Sequence, residues 1–126
     1  MAQLQTQINQ QASKGNIVFL GALPLNALPR RILNLSVMPV TLRDLLIWVD
    51  RRISEGYRLT HYIRHVGTIA ALRTAGIPLD ERPNVDLYKY REGDIIVVVS
   101  LKTPPRGQDV VEVDPQDLEI WLVHLS

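Results

Sequence analysis

The sequence predicts an α+β domain, a mixed β-sheet of about four to six strands with two main helices packed on it. Three stretches carry that expectation. Residues 95–101, Ile-Ile-Val-Val-Val-Ser-Leu, are the strongest strand pattern in the chain. A run so apolar belongs in the middle of a sheet, buried on both faces. Residues 42–53 place Leu42, Leu45, Leu46, Val49 and Ile53 on one helical face, with Arg43, Asp50, Arg51 and Arg52 on the other. Residues 57–76 begin extended, rich in Tyr, Thr and Ile, then turn to a helical period through Ile69, Leu72 and Ala75.

The chain has 126 residues, 46% hydrophobic and 21% charged, as expected of one soluble globular domain with a single core. Residues 1–15 read as a polar, glutamine-rich leader with little to bury, and residues 16–126 as the domain. A net charge of +1 argues against non-specific DNA binding over the whole surface, though not against a local basic patch. The absence of cysteine excludes disulfides, thiolate metal sites and cysteine nucleophiles. No apolar run approaches the roughly 18 residues of a membrane span. The first residues lack a secretory-signal pattern, so a cytoplasmic location is expected, that of the host cell if a virus encodes the protein.

The elements follow in order. Residues 16–20 form a short buried strand. Gly21, Pro24 and Pro29 break it, making 21–29 a loop at a strand's C-terminal end, where ligands bind in sheets covered by helices. Asn26 could offer its amide there, or simply form a turn. Leu33, Leu35 and Val37 alternate with Asn34 and Ser36, so 32–40 reads as a second strand that Pro39 ends or confines to an edge. Thr41 with Asp44 opens the first helix as a capping pair. Gly56 closes that helix. Ile47 and Trp48 widen its apolar arc, Trp48 most simply by core packing. Gly76 stops the second helix. Residues 78–84 are a loop bounded by prolines. Residues 85–90 alternate and read as a strand, 91–94 as a turn, and with 95–101 they suggest a hairpin. Residues 102–109 are a polar loop, 110–113 a short extended piece and 114–117 a turn or helix start. The alternating segment 118–125 closes the chain as a strand.

His65 falls where a strand ends and a helix begins. The first N–H groups of a helix lack internal partners, and its dipole favours an anion. A histidine beside such a site has the parts for phosphodiester chemistry, although the simpler reading is a cap residue. His61 and His65, four apart, would share a metal only on a helix, and no His-Glu-x-x-His pattern is present. His124 reads as a surface histidine.

Residues 17–125 resemble the DUF1874 family, known for its STIV B116-like fold. The likeness runs through Phe19-Leu20-Gly21-Ala22-Leu23-Pro24-Leu25-Asn26-Ala27-Leu28, then Ile63-Arg64-His65-Val66-Gly67-Thr68-Ile69-Ala70-Ala71-Leu72. The second stretch is similar to the family's Ile-Gly-His-x-x-Thr-Ala-x-x-Leu signature. Gly93-Asp94 before an apolar strand, and the 102–107 loop before an aromatic closing strand, are similar too. The family includes viral anti-CRISPR ring nucleases that degrade cyclic tetra-adenylate, a second messenger of type III CRISPR defence.

The resemblance implies a ring nuclease that uses no metal and no other cofactor. Its ligand would be cyclic oligoadenylate, and His65 would be catalytic. Gly21, Asn26, Arg64, Thr68, Arg82, Thr103 and Arg106 would bind substrate. A ring of identical nucleotides has two-fold symmetry, which a C2 homodimer would match. The departures are specific. Arg64 replaces the family's Gly. Gly21 stands for its Asn, and Pro24 for its frequent Ser. Thr103 and Arg106 align with its final Arg and Glu, so the family's general-base carboxylate is missing there. A rival reading is a non-catalytic binder of cyclic nucleotide, RNA or DNA through Arg30, Arg31, Arg64, Arg82, Lys102 and Arg106.

Overall fold

The computed structural model describes residues 14–32, 34–102 and 113–125. Five strands form one sheet: β1 (Asn16–Leu20), β2 (Leu35–Val40), β3 (Arg58–Tyr62), β4 (Ile95–Leu101) and β5 (Leu118–Leu125), in the order β2-β5-β4-β1-β3. β1 pairs in parallel with both β3 and β4, while β5 pairs antiparallel with β4 and β2. Four strands therefore point one way and β5 alone runs back. The α+β class and the mixed sheet with two helices are as the sequence predicts.

β4 is the middle strand, and Ile96, Val97 and Val99 are fully buried, on both of its faces. Pro39 is accommodated because β2 lies at the sheet's edge, where a missing N–H breaks no inner ladder. Helix α1 (Leu42–Ser54) begins as expected, the Thr41 hydroxyl accepting from the Asp44 N–H at 3.1 Å. Helix α2 (Val66–Ala75) ends at Gly76, whose φ of +115° is the left-handed conformation that glycine takes without a Cβ penalty. The Gly76 and Ile77 N–H groups then close the last turn on Arg73 and Leu72.

Both helices cover the same sheet face. Leu45 and Val49 of α1 and Ile69, Ala71 and Leu72 of α2 share one core with Ile17 and Phe19 of β1, Val97 and Val99 of β4, and Ile120 and Leu122 of β5. Trp48 packs at the margin of this core, with the Arg52 guanidinium 5.7 Å from its ring. Ile53, expected on the buried face, is 40% exposed. Among the described residues, the other sheet face is covered by loops and a short 3-10 turn. Val18, Leu20, Ile96 and Val123 pack there against Ala27 and Tyr88.

That second core corrects one expectation. Residues 85–90 form no strand, and there is no hairpin with β4. The alternation is real but serves another purpose: Tyr88 is buried beneath the sheet while Val85 and Leu87 stay 68% and 74% exposed. Both edges of β4 are already taken by β1 and β5, so no pairing position remains for 85–90. Tyr88 donates to the Asp94 carboxylate at 2.6 Å, and the Tyr90 N–H donates to Ala27 at 2.8 Å. The expected leader falls outside the described residues through position 13. Gly15 accepts from the Arg58 N–H at 3.0 Å, at the start of β3. The extended piece expected at 110–113 lies outside them up to residue 112, and Val113 begins no strand.

Candidate active site at the parallel strand ends

Because β1, β3 and β4 are parallel neighbours, their C-terminal ends open on the same side. A cleft of about 660 Å³ lies there, lined by the final residues Leu20, Tyr62 and Leu101. The chain following β1 contributes Gly21, Ala22 and Pro24. The chain following β3 contributes Arg64 and His65, and the first turn of α2 contributes Thr68. The volume suits a ligand of nucleotide size. This is where a sheet of this kind binds ligands, because the loops diverge and backbone groups end unpaired.

His65 is the N-cap of α2. Its Nδ1 accepts the Thr68 N–H at 3.2 Å and lies 2.9 Å from the Thr68 hydroxyl oxygen. With Nδ1 accepting, the neutral ring carries its proton on Nε2. The Thr68 hydroxyl can also reverse its role and accept from Nδ1, which gives a doubly protonated ring a partner at the cost of one helix N–H bond. Thr68 is 4% exposed, so that partner is fixed. The cap thus orients the imidazole and leaves Nε2 for a ligand. It also competes with proton chemistry, since the cap and the second proton both require Nδ1.

Gly21 meets no atom within 4 Å of where a Cβ would stand, and its backbone needs no glycine. Its missing side chain leaves room at the cleft. Arg64 is exposed, and its guanidinium donates to the Val85 carbonyl at 3.3 Å. That bond is long enough to be given up to a phosphate.

Of the expected site residues, the structure brings Gly21, Arg64, His65 and Thr68 together. Asn26 is exposed on a short 3-10 turn, Leu25–Ala27, and is not part of this cleft. Arg82 is elsewhere as well. It makes a bidentate pair with Asp80, 3.0 and 3.2 Å, beside a second cleft of about 480 Å³. The hydrogen bond from the Arg82 guanidinium holds the Asp80 carboxyl at about 2, well below the usual carboxylate range. That pair occupies the Arg82 guanidinium outside the cleft that holds His65. Thr103 and Arg106 lie outside the described residues, in the segment that follows β4.

His61 is buried and satisfied, which disposes of a His61–His65 metal pair. Its Nδ1 accepts from the Ile63 N–H at 3.1 Å, and its Nε2 is 2.8 Å from the Asp80 carbonyl, to which it donates. Among the described residues no group of three or more metal-ligating side chains occurs. His124 is exposed, as expected.

Sequence reasoning missed Asp86, Tyr88 and Ser100, all of which line the cleft. Signals existed. Ser100 interrupts an otherwise apolar strand. Asn84-x-Asp86 after Pro83 is an Asx-turn pattern, and the Asn84 carboxamide indeed accepts from the Asp86 N–H at 2.9 Å. Burial and the hydrogen bond to Asp94 push the Tyr88 hydroxyl up, so Tyr88 offers the cleft a neutral ring and no proton.

Sheet order, helix placement and cleft define the class: a mixed α+β protein with the B116 fold. The particular likeness is to B116 of Sulfolobus turreted icosahedral virus, with a TM-score of 0.65 and 17% identity, over 86% of this chain and 98% of that one. At that identity the likeness is one of fold. No protein-family model and no curated protein matches the chain. Among the described residues, no helix is long and apolar enough to cross a membrane.

Proposed function

We propose that the chain is a member of the DUF1874 family that binds and cleaves cyclic oligoadenylate, with cyclic tetra-adenylate as ligand, in the cytoplasm. The observation that carries this reading is the convergence of Gly21, Arg64, His65 and Thr68 on one nucleotide-sized cleft at three parallel strand ends. Each ribose 2′-OH of such a ring lies beside a phosphodiester, so the substrate supplies its own nucleophile. Arg64 and the first N–H groups of α2 neutralise charge on the phosphoryl oxygens. The doubly protonated His65, its Nδ1–H turned to the Thr68 hydroxyl, gives the Nε2 proton to the departing 5′-oxygen and is left as the neutral ring. A C2 homodimer gives the ring two equal half-sites.

The test is incubation of the protein with cyclic tetra-adenylate in EDTA, with His65→Ala in parallel. The expected result is a linear product ending in a 2′,3′-cyclic phosphate from wild type only. Absence of product from wild type overturns cleavage.

A second reading has its own support. The His65 Nδ1 is committed to capping α2, which suits an imidazole that donates from Nε2 and keeps its proton. On that reading the protein holds a cyclic nucleotide, RNA or DNA without cutting it. Tight ring binding by calorimetry without turnover decides for it.

A further inference from the structure

The segment 84–87 has no regular secondary structure, yet it is tied to the end of β3 and the residues that follow at three points and braced within itself by a fourth bond. The Asn84 N–H donates to the Ile63 carbonyl at 2.9 Å. The Asn84 carboxamide donates to the His61 carbonyl at 3.0 Å and accepts from the Asp86 N–H at 2.9 Å. Arg64 reaches the Val85 carbonyl. These ties hold the approach to Tyr88, buried beneath the sheet. The ties also fix Asp86, which borders both the cleft that holds Arg64, His65 and Thr68 and the second cleft beside Arg82, and is the one carboxylate among the described residues lining the first.

A carboxylate is out of place where phosphates bind, since like charges repel. In this cleft it suits a part of the ligand that donates a proton. We infer that Asp86 is the general base of the cleavage, and Asn84 the residue that positions it. This rests on the ring-cleavage reading above. The carboxylate takes the proton of a ribose 2′-OH as that oxygen attacks the adjacent phosphorus. The O2′–P bond forms and the P–O5′ bond breaks. His65 gives its proton to O5′, leaving a 2′,3′-cyclic phosphate on one end and a 5′-OH on the other. One proton enters Asp86 and one leaves His65, so the step balances without a co-reactant. Asp86 comes from the 84–87 segment. The carboxylate absent at position 106 is thereby supplied from another part of the chain.

The experiment compares wild type, Asp86→Asn, Asp86→Glu and Asn84→Ala on cyclic tetra-adenylate in EDTA across pH. Asp86 is exposed, so its variants keep the fold, which thermal melting verifies. The expected result is a turnover loss of about 10²–10⁴-fold in Asp86→Asn with ring affinity within about threefold of wild type. The acid limb of the rate profile disappears with it. Asp86→Glu recovers part of the rate, and Asn84→Ala lowers turnover but keeps the acid limb. Cleavage by Asp86→Asn within about threefold of wild type, with the acid limb intact, overturns the role of Asp86 and leaves the ring-cleavage reading standing. Failure of wild type to cleave overturns both.

Discussion

At His65, structure and chemistry draw on the same nitrogen, and substitutions separate the two. His65→Ala removes an N-cap and costs about 1 kcal/mol of stability. His65→Asn keeps a cap acceptor, so denaturant unfolding should leave it near wild type while turnover still falls about 10²–10⁴-fold. Equal activity in His65→Asn and wild type would reduce the histidine to a cap. Asp80 offers an independent check on the loop around Arg82. Its folded value of about 2 lies below the ordinary 3.8, so its contribution to stability is present above 3.8 and lost as pH falls through 2. NMR titration should place its carboxyl near 2, and Arg82→Ala should return it towards 3.8. The site was half legible at this scale. His65 and Thr68 announce themselves by position, at the start of an apolar-periodic helix. Asn26 and Arg82 lie outside the cleft, and a loop residue's direction depends on partners, for Arg82 its neighbour Asp80, that no periodicity reveals.

Helices and the central strands were legible because their burial leaves a period in the sequence. α1 and α2 begin at Thr41 and His65 and stop beside glycines, and β4 reads as a middle strand. The 85–90 segment shows where period alone misleads. Alternation there records one side chain buried under the sheet and its neighbours in solvent, a pattern a strand and a strap produce alike. Two outcomes follow for elements. Leu72, 0% exposed in the shared core, should cost about 2–5 kcal/mol when changed to Ala, read by urea unfolding. Asn84→Ala should speed amide exchange at Asp86 while leaving β1 and β4 protected, because it removes only side-chain ties to a segment outside the sheet. Loss of protection in β1 would mean that the strap supports the sheet itself.

For the whole molecule, the fold places the cleft. Parallel pairing of β1 with both β3 and β4 sends three strand ends to one side, and the chain emerging from β1 and β3 lines the same cavity as the last residues of β4. No single motif announces that convergence, since it depends on strand order, which sequence pattern did not provide. The proposed two-fold ring ligand predicts a particle of twice the chain mass in sedimentation. A particle of one chain mass that still cleaves would remove the symmetry argument. The central claim is that this cleft, and no other surface, holds the ring. The most direct test is an amide NMR titration of ¹⁵N-labelled His65→Asn with cyclic tetra-adenylate. Shifts concentrated at Gly21, Arg64, Thr68 and Ser100, with Thr60 and Arg82 unmoved, are the predicted result. Shifts centred on Thr60, His61 and Arg82, or none at saturating ring, would contradict it.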